Sequence, residues 1–88
     1  MTHENETLRW PTHLDRAGID KRLVQVREAA QKSNLSNLVE LFEGVEVMPA
    51  ARLAVNVIAA LTWLEGKPEH RHMTTQLEMV AMNLKNLR

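Results

Sequence analysis

The densest run of residues able to do chemistry is Glu69-His70-Arg71-His72. On a helix Glu69 and His72 stand at i, i+3, the Glu-x-x-His arrangement with which carboxylate-bridged di-metal bundles hold their ions. Those centres draw such a motif from each of two helices and add further glutamates aimed inward. This chain has one copy, placed at a helix start. His70 and His72, at i, i+2, do not share a helical face and chelate together only across an irregular turn. A solvated first turn accounts for the same residues, with Glu69 favoured near the positive end of the helix. Glu69, His70 and His72 are thus weak metal candidates, and no cofactor is expected.

Other reactive patterns are thinner still. His3 and His13 stand alone, with no Ser or Cys at a nucleophile spacing. Ser33 and Ser36 fall in a helix break, where capping explains them. The chain has no cysteine, which removes disulfides, thiolate nucleophiles and Cys-type metal sites together. Gly18, Gly44 and Gly66 each sit near a helix end, so no glycine-rich phosphate loop is formed. Glu40 and Glu43 read as the wet face of a helix whose other side carries Leu41 and Phe42. The expectation is a protein that is not an enzyme.

Lys+Arg and Asp+Glu balance at 11 each, against the basic surplus that nucleic-acid binders use to neutralise phosphates. The charge is unevenly spread. Arg16, Lys21, Arg22, Arg27 and Lys32 against Asp15, Asp20 and Glu28 leave 15–32 at +2, while Glu40, Glu43 and Glu46 set 33–48 at −3. Lys21, Arg22, Arg27 and Lys32 are the candidate nucleic-acid face. A helix-turn-helix reading of the segment around Gly44 fails on its second helix, which offers mainly Ala, Val, Ile and Leu where base edges need polar side chains.

These residues must be carried by helices. The apolar set is Leu, Val, Ala, Met and Ile, with one Phe and no Tyr, which favours helices over sheet. Residues 1–9 read as a flexible polar leader and 10–88 as a single helical domain. Helix 1 is predicted over about 12–32, capped by Thr12 with Asp15 three residues on and Trp10 as the staple. Ile19, Leu23, Val26 and Ala30 give it one apolar stripe. Whether it runs through Gly18 is open. A break at Ser33–Ser36 precedes helix 2, about 36–43, with Gly44 as its stop. Val45–Met48 reads as extended, and Pro49 suits the first position of helix 3, about 49–65. Helix 4 follows a stop at Gly66-Lys67-Pro68 and runs over about 68–87. Its seam is Met73, Leu77, Val80, Leu84 and Leu87. The fold class is all-α, a bundle of three to four helices.

Twelve of the fifteen positions 50–64 are apolar, so helix 3 lacks the polar face of an ordinary surface helix. A chain of 88 residues has a thin core, and single cores of this size stand near zero net stability without disulfides or metals. A homodimer is therefore expected, with helix 3 or helix 4 at the interface. The candidate interaction residues are Trp63, Met73, Leu77, Met79, Val80, Met82, Leu84 and Leu87. Trp is frequent among binding hot spots, and Met on adaptable surfaces. The expected function is a helical protein–protein interaction module: an adaptor, accessory subunit or small regulator. The rival readings are a nucleic-acid-associated regulator using helix 1 and a metal-binding helical protein using Glu69, His70 and His72. No membrane span is predicted, because Val47–Leu64 is short and interrupted by Pro49, Arg52, Asn56 and Thr62. A cytoplasmic location is the default expectation. On the seam reading, Leu77→Asp or Leu84→Asp should abolish association more than any change at His70 or His72, as read by size-exclusion chromatography with light scattering.

Overall fold

The computed structural model describes residues 14–85 and builds them into four α-helices and two 3₁₀ turns, with no strand among the described residues. In chain order these are α1 (Arg16–Lys32), α2 (Ser36–Leu41), a 3₁₀ turn (Val45–Val47), α3 (Ala50–Leu64), a second 3₁₀ turn (Pro68–His70) and α4 (Arg71–Leu84). The 1–9 leader, the Trp10-Pro11-Thr12 helix start, His3, His13 and Leu87 lie outside the described residues.

The start of α1 differs from the capping-box expectation. Asp15 is itself the N-cap, its carboxylate accepting the Gly18 N–H at 2.9 Å. Gly18 lies in the first turn rather than ending a helix. A Cβ there would stand 3.1 Å from Leu14 Cδ2 and 3.3 Å from the capping oxygen, so glycine lets the cap close. The far end of α1 is a Schellman motif. Asn34 takes the left-handed conformation at φ 59°, the Asn34 N–H donates to Gln31 O and the Leu35 N–H donates to Ala30 O at 2.9 Å. The expected break is therefore built by Asn34, whose short polar side chain tolerates a positive φ.

The segment between α2 and α3 corrects the sequence reading. Val45–Val47 is a 3₁₀ turn, not extended chain, and Pro49 is the N-cap of α3, one residue before its first turn. The cause is tertiary. Val45 is fully buried, and three side chains collect the carbonyls of the connection. Arg16 Nη2 donates to Val45 O at 2.9 Å and also to Met48 O, while its Nε holds Asp20 Oδ1 at 2.8 Å. Arg27 Nη1 donates to Phe42 O at 3.0 Å, and Asn56 Nδ2 donates to Leu41 O at 2.8 Å. Carbonyls left over at the end of a short helix are thus satisfied from α1 on one side and α3 on the other.

The core is a single cluster. Ile19, Leu23, Val26 and Ala30 of α1 meet Leu38, Phe42 and Val45, the inner residues Leu53, Val57, Ala60 and Leu64 of α3, and Met73, Leu77 and Val80 of α4. α4 packs against both α1 and α3, and α2 bridges α1 and α3. α4 lies between α1 and α3 and packs extensively on both, whereas the more apolar α3 packs extensively on α4 and only lightly on α2. Leu77→Ala is expected to lower stability by about 2–5 kcal/mol, and Asn56→Ala by about 1–3 kcal/mol through the orphaned Leu41 carbonyl. Urea denaturation followed by circular dichroism measures both.

Candidate interaction surface

Helix α3 carries two apolar stripes at the same 4-3-4 spacing, half a turn apart. Leu53, Val57, Ala60 and Leu64 form the inner stripe and are buried. Ala51, Val55, Ile58 and Thr62 form the outer one. Val55 is 63% and Ile58 62% exposed, far beyond what a buried helix allows, and Ala51, Ala59 and Thr62 are exposed beside them. Leu41, Phe42 and Val45 seal the inner side, and α2, only Ser36–Leu41, is too short to wrap around to the outer one.

A groove of mixed polar and apolar lining adjoins the stripe. Ile58 and Thr62 line an open groove of ≈ 430 Å³ that they share with Leu61 of α3, Lys67, and Arg71 and Glu78 of α4. One turn further along each helix come Val55 and Met82, the latter 47% exposed on α4. Val47, in the turn just before α3, is 87% exposed.

Polar groups mark the two ends of this face. Arg52 stands in the first turn of α3 and Glu65 is its C-cap residue, both exposed. Neither makes an ion pair among the described residues. The N-cap Pro49 supplies no side-chain hydrogen bond to the first-turn amides. A cation at the positive end of a helix and an anion at the negative end oppose the helix dipole.

The residues expected to mediate association fare differently. Met73, Leu77 and Val80 are fully buried inside the protomer, so the α4 seam is internal core. Leu77→Asp therefore tests folding rather than association, correcting the expectation above. Leu84 and Met79 are half-buried, and Arg22 Nε reaches Met79 Sδ at 3.2 Å. The wide apolar face of α4 is accounted for by α1 and α3 together. Trp63 is half-buried at the core edge, its ring covered by Lys67 Nζ at 4.4 Å from the centroid, and the same ammonium donates to Trp63 O. Of the association candidates named from sequence, Met82 alone is exposed within the described residues.

The basic residues of α1 do not form one face. Lys21 and Lys32 lie on one line of the helix, Arg22 is about 100° around from it, and Arg27 projects to the far side. There Arg27 is engaged with Phe42 O, a structural role. The histidine cluster is also dispersed. Glu69 and His70 belong to the 3₁₀ turn and His72 to the first turn of α4, which breaks the regular i, i+3 relation. His72 instead lines a crevice with Gln25 and Gln76 between α1 and α4. Among the described residues no group of three His, Asp or Glu side chains is placed to hold a metal ion.

No protein-family model, curated protein or solved structure matches the chain. No helix among the described residues is long and apolar enough to cross a membrane.

The outer stripe of α3 was missed as a set of site residues, though its signal is in the sequence. Two interleaved 4-3-4 runs within 50–64 point to opposite sides of the helix, so a core packed against one of them leaves the other outside. Because Val55 and Ile58 contribute little to the protomer core, Val55→Ser and Ile58→Ser should each shift unfolding free energy by no more than about 0.5 kcal/mol. Urea melts at low protein concentration test this against the Leu77→Ala loss.

Proposed function

We propose that this chain is a non-enzymatic helical interaction module whose docking surface is the outer face of α3. The face engages an apolar helix of another protein chain, and an adaptor, accessory-subunit or small-regulator role follows from that. The observation that carries the reading is the exposure of Val55 and Ile58 on a four-helix unit whose core closes without them. Removing a Val or Ile side chain fully from water is worth about 1.5–3 kcal/mol. Two such residues with roughly three-fifths of their surface exposed thus hold a usable part of a binding free energy. Ala51 and Ala59 let a second backbone approach closely, and the helix-on-helix mode reads positions at i, i+4 and i+7 as anchors. Ala51, Val55, Ile58 and Thr62 meet that spacing.

The reading places recognition on α3 rather than on the α4 seam, and it gives the basic residues of α1 no nucleic-acid role. Cross-linking in the chain's native lysate, followed by isolation of tagged wild-type and Val55→Asp/Ile58→Asp protein, checks it. A cross-linked protein species held by the wild type should be lost from the double variant while circular dichroism stays unchanged. Recovery of the same species with both proteins would refute the assignment of the face.

A further inference from the structure

We infer that the occupant of the outer α3 face is α3 of a second copy of this chain, packed antiparallel about a two-fold axis near position 56. This rests on the outer face being a docking surface, and it adds the partner, the direction and the register.

Self-complementarity is the first ground. In an isologous pair each residue type must find a suitable partner in its own stripe. With the axis between Val55 and Ile58, Val55 meets the partner's Ile58, and Ala51 meets the partner's Thr62. The two bulky β-branched residues form the centre, and the two smaller ones close each end. Ala59 beside the centre leaves room for the helices to approach.

Charge is the second ground, and it selects the direction. Within one protomer Arg52 and Glu65 sit at the wrong ends of α3, and the amides of its first turn have no side-chain cap. Antiparallel pairing in this register brings Glu65 beside the first turn of the partner's α3. It brings Arg52 beside the partner's last turn. Each charge then meets the helix end that favours it, and the uncapped amides gain a carboxylate. A parallel pair would instead set Arg52 against Arg52 and Glu65 against Glu65. The formal charge of zero leaves no overall repulsion between copies.

The 88 residues include no cysteine, so single-cysteine variants report geometry directly. In the antiparallel pair Ala51→Cys and Thr62→Cys variants should form a mixed disulfide when combined under mild oxidant. Ala51→Cys alone should not cross-link, because two copies of position 51 lie eleven residues of helix apart, about 16 Å, against the roughly 5.5 Å a disulfide needs. Sedimentation should give a mass above 10.1 kDa that rises with concentration, and Val55→Asp/Ile58→Asp should return it to the monomer value. Arg52→Glu and Glu65→Lys should each weaken association roughly tenfold while raising the melting temperature of the dilute monomer, because both changes suit the protomer's own helix dipole. That opposition of signs would not arise from a merely structural role.

Three results would overturn the inference. The first is Ala51→Cys cross-linking to itself, which means a parallel pair. The second is a dimer that survives Val55→Asp/Ile58→Asp, which means another face. The third is a 10.1 kDa monomer at every concentration. In that last case alkylation of Val55→Cys separates the causes. Fast reaction leaves the docking face open to a different protein, whereas slow reaction means that the monomer itself covers it, and the proposed function falls too.

Discussion

The connection into α3 depends on a handful of carbonyl groups. α2 ends after Leu41, and the chain must turn through Val45–Val47 before α3 can begin at Ala50. A short helix followed by a tight connection leaves carbonyls without intrahelical partners, and a half-buried carbonyl left unpaired is expensive. Arg16 and Arg27 supply donors from α1, and Asn56 supplies one from α3 to Leu41 O. Asn56 lies on the flank of α3 between its two apolar stripes. Its hydrogen bond is made in the same rotation of the helix that buries the inner stripe. Leu53, Val57, Ala60 and Leu64 turn inward, and Val55 and Ile58 are left outside.

That mechanism separates what the sequence could reveal from what it could not. The stripes of α1 and α4 were legible because each helix has one dominant apolar line, and Ile19, Leu23, Val26 and Ala30 can face a core in only one way. The stops were legible from the Ser/Asn run at 33–36, whose side chains compete for backbone hydrogen bonds, and from Gly66-Lys67-Pro68. The structure adds that Asn34 and Gly66 take positive φ, 59° and 75°. α3 was not, since its periodicity admits two rotations and the choice is made by tertiary packing, with Asn56 bonded to Leu41 O at the end of α2. Val45-Glu46-Val47 alternates as a strand does, yet a buried Val45 and the Arg16 guanidinium impose a 3₁₀ turn. Arg27 counted as surface charge until the Phe42 carbonyl claimed it. At Val45–Val47 and at Arg27 a tertiary hydrogen bond overrode a local pattern.

The same geometry explains why α3, the most apolar segment, is only half covered. α4 takes the place between α1 and α3, which uses its Met73, Leu77 and Val80 on two neighbours at once. α2 has too few turns to flank α3 on its remaining side. A bundle with three long helices and one short one can shelter one line of each long helix, and α4 receives more. The surplus apolar surface appears on α3 because its sequence carries a second line.

A second line of this composition is hard to explain as ordinary surface. On an exposed helical face, where packing does not decide, Ala, Glu, Lys or Gln give better helix propensity than Val or Ile, by a few tenths of a kcal/mol each. β-branched side chains also lose χ1 freedom against the preceding turn. Val55 and Ile58 thus weaken the isolated helix and expose apolar area to water in the same positions. Arg52 and Glu65 add to this by opposing the dipole at both ends of the same element. Four unfavourable local choices stand together on one helix, all of them exposed. Each becomes favourable in one common circumstance, the presence of an oppositely directed apolar helix against the outer face of α3.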